Sequence, residues 1–89
     1  MNSHITDDFR QHFADLPRPV QERARRSYRL WQANPHHSSL HFKRVHESEP
    51  IYSVRVGRGW RALGLIENDA IYWFWIGSHA TYDKLLAQL

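Results

Sequence analysis

The residues of this chain best suited to chemistry are two arginines and a histidine: Arg55, Arg61 and His79. Gly57-Arg58-Gly59 reads as a three-residue hairpin loop, which sets Arg55 opposite Arg61 on adjacent strands and on one sheet face. Two guanidiniums so placed repel each other unless an anion lies between them, or unless Glu47, Glu49 or Asp83 neutralises them. His79 follows directly after the apolar run IYWFWIGS. A strand end fixes a side chain while the following loop exposes it, and an imidazole titrates near neutrality. Phosphate handling is the chemistry such a trio offers. A salt-bridged arginine pair beside an ordinary helix-start histidine is the plainer reading.

Other chemistry has little support. The chain has no P-loop, no GxSxG, no HExxH and no CxxC. Gly57-Arg58-Gly59 is too short for a dinucleotide fingerprint and suits a turn. His36, His37, His41 and His46 would have to converge through the fold to hold a metal, and no carboxylate or thiol at ligand spacing supports them. Neither a metal nor another cofactor is expected.

The elements that must position the trio lie between Ile51 and Ser78. Three β-rich runs are separated by Gly57–Gly59 and by Glu67-Asn68-Asp69-Ala70. Alternation puts Tyr52, Val54, Val56, Trp60, Ala62 and Ile66 on the face away from the arginines. With a two-residue Asn68-Asp69 turn, Trp73 and Trp75 join that face, while Tyr72, Phe74 and Ile76 follow the arginines. Gly64 then lies opposite Trp73 and leaves room for the indole.

Upstream, Thr6 precedes Asp7 and Asp8 as a helix cap with acids at the positive end of the dipole. Ile5, Phe9, Phe13 and Leu16 recur at helical spacing. Pro17-Arg18-Pro19 ends that helix, and a second runs over 19–33 with Val20, Ala24, Tyr28 and Trp31 on its apolar stripe. Asn34-Pro35 stops it. Leu40 to Val45 alternates as an edge strand. After Gly77, Ser78 caps a terminal helix carrying Tyr82, Leu85, Leu86 and Leu89 along one side. The expected fold is α+β, in one domain over residues 1–89. An N-terminal αα-hairpin packs on a small, mainly antiparallel sheet of about four strands, with a short C-terminal helix.

Composition narrows the partners. The net charge of +3 conceals ten Lys or Arg against three Glu between Arg18 and Arg61, a local +7, and ten of the twelve basic residues are Arg. Arginine grips phosphate or carboxylate bidentately, so nucleic acid or an acidic protein fits this stretch, with a solvated helix face as the alternative. There is no cysteine, and MNSHITDDF lacks the basic and apolar regions of a signal peptide. No apolar run approaches the ~18 residues of a membrane span. A soluble cytoplasmic protein is expected.

The segments YSVRVGRGWRALG and WFWIGSHATYDKLL, behind two helices, resemble the RelE/ParE superfamily of bacterial toxins, over most of the chain and most clearly from Leu40 to Leu86. Such proteins are the toxin halves of type II toxin–antitoxin pairs. Many cleave mRNA in the ribosomal A site without metal, activating a ribose 2′-hydroxyl against the adjacent phosphate. The resemblance implies a cognate antitoxin, a hetero-oligomer with it, and mRNA in the ribosome as partners. It makes Arg61 the phosphate-stabilising arginine, Arg55 a second cation and His79 the acid for the leaving 5′-oxygen. Lys43, Arg44, Arg58 and Tyr82 become RNA contacts, with Tyr82 the aromatic that stacks on or positions a base. Where some relatives carry a lysine or glutamate base, two residues before Arg55, this chain has Ser53; Lys43, His41 and Glu47 are the alternatives. His79 and Tyr82 also lie closer together than their counterparts in some relatives. The resemblance equally admits a ParE-like toxin that binds gyrase without cutting RNA, or an inactive remnant that only binds antitoxin.

Overall fold

The computed structural model describes residues 1–89 in the order β1 (Asn2–Ile5), α1 (Asp7–Ala14), α2 (Arg18–Ala33), a 3-10 turn (Ser38–Leu40), β2 (Lys43–Arg44), β3 (Ile51–Arg55), β4 (Trp60–Glu67), β5 (Ala70–Ser78) and α3 (His79–Gln88). The strands form one five-stranded sheet in the order β1-β5-β4-β3-β2. The three strands from Ile51 onward pair antiparallel as their turns require. Asn68 and Asp69 both adopt positive φ, 50° and 63°, which is the two-residue turn that matches strand twist.

Each sheet face carries its own apolar cluster. Val54, Val56, Ala62, Ile71, Trp73 and Ile76 meet Leu16, Val20, Ala24, Trp31 and Leu40, with Phe9, Phe13 and Tyr28 packed alongside. Phe9, Phe13 and Leu16 of the first predicted stripe and all four residues of the second therefore turn toward this core, whereas Ile5, expected to open the first stripe, lies in β1 and is exposed. Trp31 and Trp73 meet edge to face at 5.3 Å between ring centroids. On the opposite face Ile51, Leu63 and Trp75 pack against Tyr82 of α3. Gly64 pairs with Trp73, and a Cβ there would come within 2.8 Å of Ile71 and 2.9 Å of the Trp73 ring.

Three expectations need correction. A fifth strand precedes the helices: β1 runs parallel to β5, so the sheet is mixed and has more strands than expected. Its four residues carry no alternation that a sequence reading could catch. They are held by the ladder and by Thr6, whose N–H and Oγ1 both donate to Trp73 O. The predicted strand over 40–45 shrinks to Lys43–Arg44, because the 3-10 turn buries Leu40 and His41 turns left-handed at φ 45°. Finally, the register slips between Leu63 and Gly64: Gly64 faces Trp73 but Leu63 faces Trp75, leaving Phe74 as the extra residue of a β-bulge. The bulge reverses the alternation beyond it. Trp75 moves to the arginine face and Ile76 to the helix face, the opposite of the expected assignment.

Candidate functional site

The site is built at the Gly57 end of the β3–β4 hairpin. Gly57 has φ +70°, a conformation glycine adopts without strain, and Val56 N–H donates to Trp60 O to close the loop. Arg55 and Arg61 are direct cross-strand partners and share one face, as the sequence suggests. The loop's own carbonyls hold them. Gly57 O accepts from Arg55 Nε at 3.4 Å and from Arg61 Nη1 at 3.2 Å, while Arg58 O and Trp60 O accept from the same Arg61 nitrogen at 3.3 and 2.7 Å. On its other side Arg61 faces Gly77 of β5, which presents no side chain. A Cβ at Gly77 would strike the Trp75 ring.

No carboxylate lies within 4.0 Å of either arginine, so Glu47, Glu49 and Asp83 do not neutralise them. Burial, and then the field of Arg55, pull the Arg61 guanidinium below its ordinary pKa; Tyr82 and Asp83 act weakly the other way. Such a cation is under-solvated and under-paired. It gains from any anion that reaches it.

His79 opens α3, and its backbone N–H donates to Gly59 O at 2.8 Å, tying the helix start to the arginine loop. Ser78 caps the helix as expected, its Oγ accepting from Thr81 N–H at 3.2 Å. Asp83, one turn on, sits 3.1 Å from His79 Nδ1. A proton on Nδ1 is therefore held by the carboxylate, and Nε2 is the nitrogen free to exchange a proton with a ligand. In the sequence Asp83 is a candidate partner for the arginines. Its i,i+4 spacing from His79 on a helix is the signal that finds its real one.

The remaining predicted residues divide. Lys43 pairs with Ser53 and lies exposed on the arginine face, and Arg58 is exposed at the loop tip. Arg44 pairs with Tyr52 on the opposite face, and its guanidinium donates to His46 O and Glu47 O. It braces the β2–β3 connection and does not join the site, because one step along a strand changes the face. Tyr82 is only 7% exposed and donates its hydroxyl to Ser53 Oγ at 3.1 Å. Its ring stands edge-on to His79 at 5.6 Å, where it backs the imidazole. It offers no open face to a base. Ser53 is itself 2% exposed beneath that hydroxyl. His41 and Glu47 are both exposed. No three histidine, aspartate or glutamate side chains converge on a common point suited to a metal ion. No helix is long and apolar enough to cross a membrane.

Residues 18–84 match the profile of the ParE-like toxin domain. The chain belongs to the RelE/ParE superfamily of toxins from toxin–antitoxin systems. Solved structures share its fold at low sequence identity. A RelB–RelE antitoxin–toxin complex from Methanococcus jannaschii superposes with a TM-score of 0.73 at 16% identity, covering 92% of this chain and 96% of that one. YafQ from E. coli strain BL21(DE3) gives 0.72 at 10% identity, with coverages of 91% and 96%. The isolated E. coli RelE toxin gives 0.64 at 9% identity, with coverages of 99% and 98%. A search of curated proteins finds no match to the sequence.

Proposed function

We propose that this toxin is a metal-free endoribonuclease that cuts mRNA in the ribosome. The observation that carries the reading is the unpaired arginine couple at Gly57, with His79 tied to the same loop through Gly59 O. Arg55 and Arg61 hold the scissile phosphate. As the 2′-oxygen attacks, charge accumulates on the phosphate oxygens, and a preorganised guanidinium opposite them lowers the barrier. His79, oriented by Asp83, protonates the departing 5′-oxygen from Nε2. Exposed Lys43 and Arg58 guide the flanking backbone. The 2′-hydroxyl proton passes to solvent water, since Ser53, buried under Tyr82, is not placed to take it.

The partner that restrains the toxin is a cognate antitoxin, supported by the RelB–RelE complexes of similar fold. Its docking surface is the apolar groove of about 390 Å³ between α1, α2 and the sheet, with Arg10 and Arg25 at its edge. An amphipathic antitoxin segment with acidic flanks suits apolar walls rimmed by cations.

The match to the ParE-like domain favours one other reading, a toxin that inhibits gyrase by contact alone. Ribosome-bound mRNA incubated with the purified chain, with cut sites mapped, separates the two. Cleavage lost in Arg61→Ala supports the nuclease. Growth arrest with intact mRNA and inhibited gyrase supports the binder.

A further inference from the structure

A third arginine reaches the same loop from the far side of the sheet. Arg23 belongs to α2, whose Val20 and Ala24 lie in the core on the helix face. Its side chain crosses the end of that core and lies directly on Gly57. A Cβ on Gly57 would collide with Arg23 Cδ and come within 3.1 Å of Nη1 and 3.2 Å of Nε. Three guanidiniums therefore gather around one glycine: two accepted by its carbonyl and one resting on its Cα. None of the three has a carboxylate within 4.0 Å, and Arg23 has no hydrogen-bonding partner in the protein. Like charges so gathered destabilise the fold unless something of opposite sign lies across them.

The geometry also bears on what that anion is. Arg55 and Arg61 project from the α3 face of the sheet, while Arg23 arrives from the α2 face, and the Gly57 loop separates them. One phosphate seated on the arginine pair leaves Arg23 unpaired. A chain of phosphates passing over the loop satisfies all three. We propose that Arg23 binds the phosphate next to the scissile one, so the site takes a single-stranded RNA backbone and draws it from the sheet onto α2. This rests on the nuclease reading for the identity of the polyanion. It adds to that reading a contact on an element that carries none of the catalytic groups.

The test uses the full chain and a non-cleavable 2′-O-methyl RNA dodecamer, with affinity measured by fluorescence anisotropy between about 50 and 200 mM salt. Arg23→Gln should weaken binding roughly tenfold at the lower salt, as loss of one charge-assisted contact does. It should also reduce the slope of log affinity on log salt by about 0.7, one single-strand phosphate. Arg23→Lys should restore the slope, because it restores the charge. Inorganic phosphate, followed through the Gly57 amide resonance, should bind Arg23→Gln as it binds wild type. A slope unchanged in Arg23→Gln overturns the inference, and so does a parallel loss of phosphate and RNA binding, which marks Arg23 as a mere prop for the loop. Failure of the wild type to bind the RNA at all overturns this inference alone, since cleavage on the ribosome decides the nuclease reading. Normal RNA binding through Arg23 without cleavage on the ribosome removes the nuclease reading alone.

Discussion

The two tight hairpins of the sheet, at Gly57–Gly59 and at Asn68-Asp69, solve the same problem in opposite ways. Asn68 and Asp69 close β4 onto β5 in the fewest residues, each taking a left-handed conformation itself. Both are exposed, and neither side chain makes a hydrogen bond within the protein. The other turn uses one more residue, and glycine alone takes the positive φ. The extra length frees the carbonyls of Gly57, Arg58 and Gly59 from the ladder. Those three oxygens then hold Arg55, Arg61 and the start of α3. A tight turn spends its backbone on closure. A wider one has acceptors to spare, and a site can be hung on them.

The largest expected effects lie at the arginine turn. Arg61→Ala should cut ribosome-dependent mRNA cleavage by about 10²–10³, and His79→Ala by about 10²–10⁴. Both variants should unfold at near-wild-type denaturant concentration, since both side chains are part-exposed and outside the two cores. Substitutions at Asn68 should leave cleavage unchanged. Wild-type rates in both Arg61→Ala and His79→Ala would mean that the Gly57 end holds no nuclease site.

Next in size is the packing that fixes the strand between the turns. Trp73 is 3% exposed, sits against Trp31 and Gly64, and donates its indole N–H to Ser3 Oγ at 3.1 Å, which ties β1 to the sheet. Trp73→Ala should cost about 3–5 kcal/mol in urea unfolding. A loss below about 1 kcal/mol would show that the helix-face core closes without it.

The hairpin, the facing arginines and both helical stripes were legible because each depends on local spacing: a glycine pair, a two-residue periodicity, a 3.6-residue periodicity. What the sequence hid depends on neighbours far along the chain. The bulge at Phe74 is a compromise between Gly64, which must meet Trp73, and Leu63, which must meet Trp75; a run apolar on both faces, IYWFWI, shows no break in alternation there. β1 exists only because β5 offers an open edge. Arg44 and Lys43 look alike in sequence, and the side of the strand alone sends one to the site and the other to a loop carbonyl. Arg23 is one arginine among five on α2, and nothing in its spacing distinguishes it from the four that stay away from Gly57.

A smaller effect follows from the depressed pKa of Arg61. Its folded-state value lies below its unfolded one, so between the two the unfolded chain binds more protons, and stability from this group rises with pH through that alkaline window. At neutral pH the arginine is charged in both states and the cost of keeping it so is fully present. Arg61→Met should therefore melt no lower than wild type at pH 7, despite losing its bonds to the loop carbonyls. Any advantage of the variant should shrink toward the alkaline limit. Added phosphate should raise the melting temperature of the wild type and leave that of Arg61→Met unmoved. A variant that melts well below wild type at pH 7 would show that bracing the loop outweighs the charge cost.

The smallest effect belongs to the tight turn. A non-glycine residue held left-handed costs roughly 1–2 kcal/mol, somewhat less for Asn and Asp, whose short polar side chains tolerate it. Glycine at the second position removes that cost but adds about 0.5–1 kcal/mol of unfolded-state entropy. Asp69→Gly should thus raise stability by at most about 0.5 kcal/mol. Cleavage should not change, because no group at this end reaches the arginine loop. At Gly57 the reverse substitution meets two obstacles at once: the positive φ and the Arg23 side chain lying on it. Gly57→Ala should lose both stability and RNA affinity, whereas Asp69→Gly gains a little of the first and leaves the second alone. Equal and opposite stability changes with RNA affinity untouched in both variants would mean that the two turns differ only in strain, and that the carbonyls of the wider loop hold nothing of functional consequence.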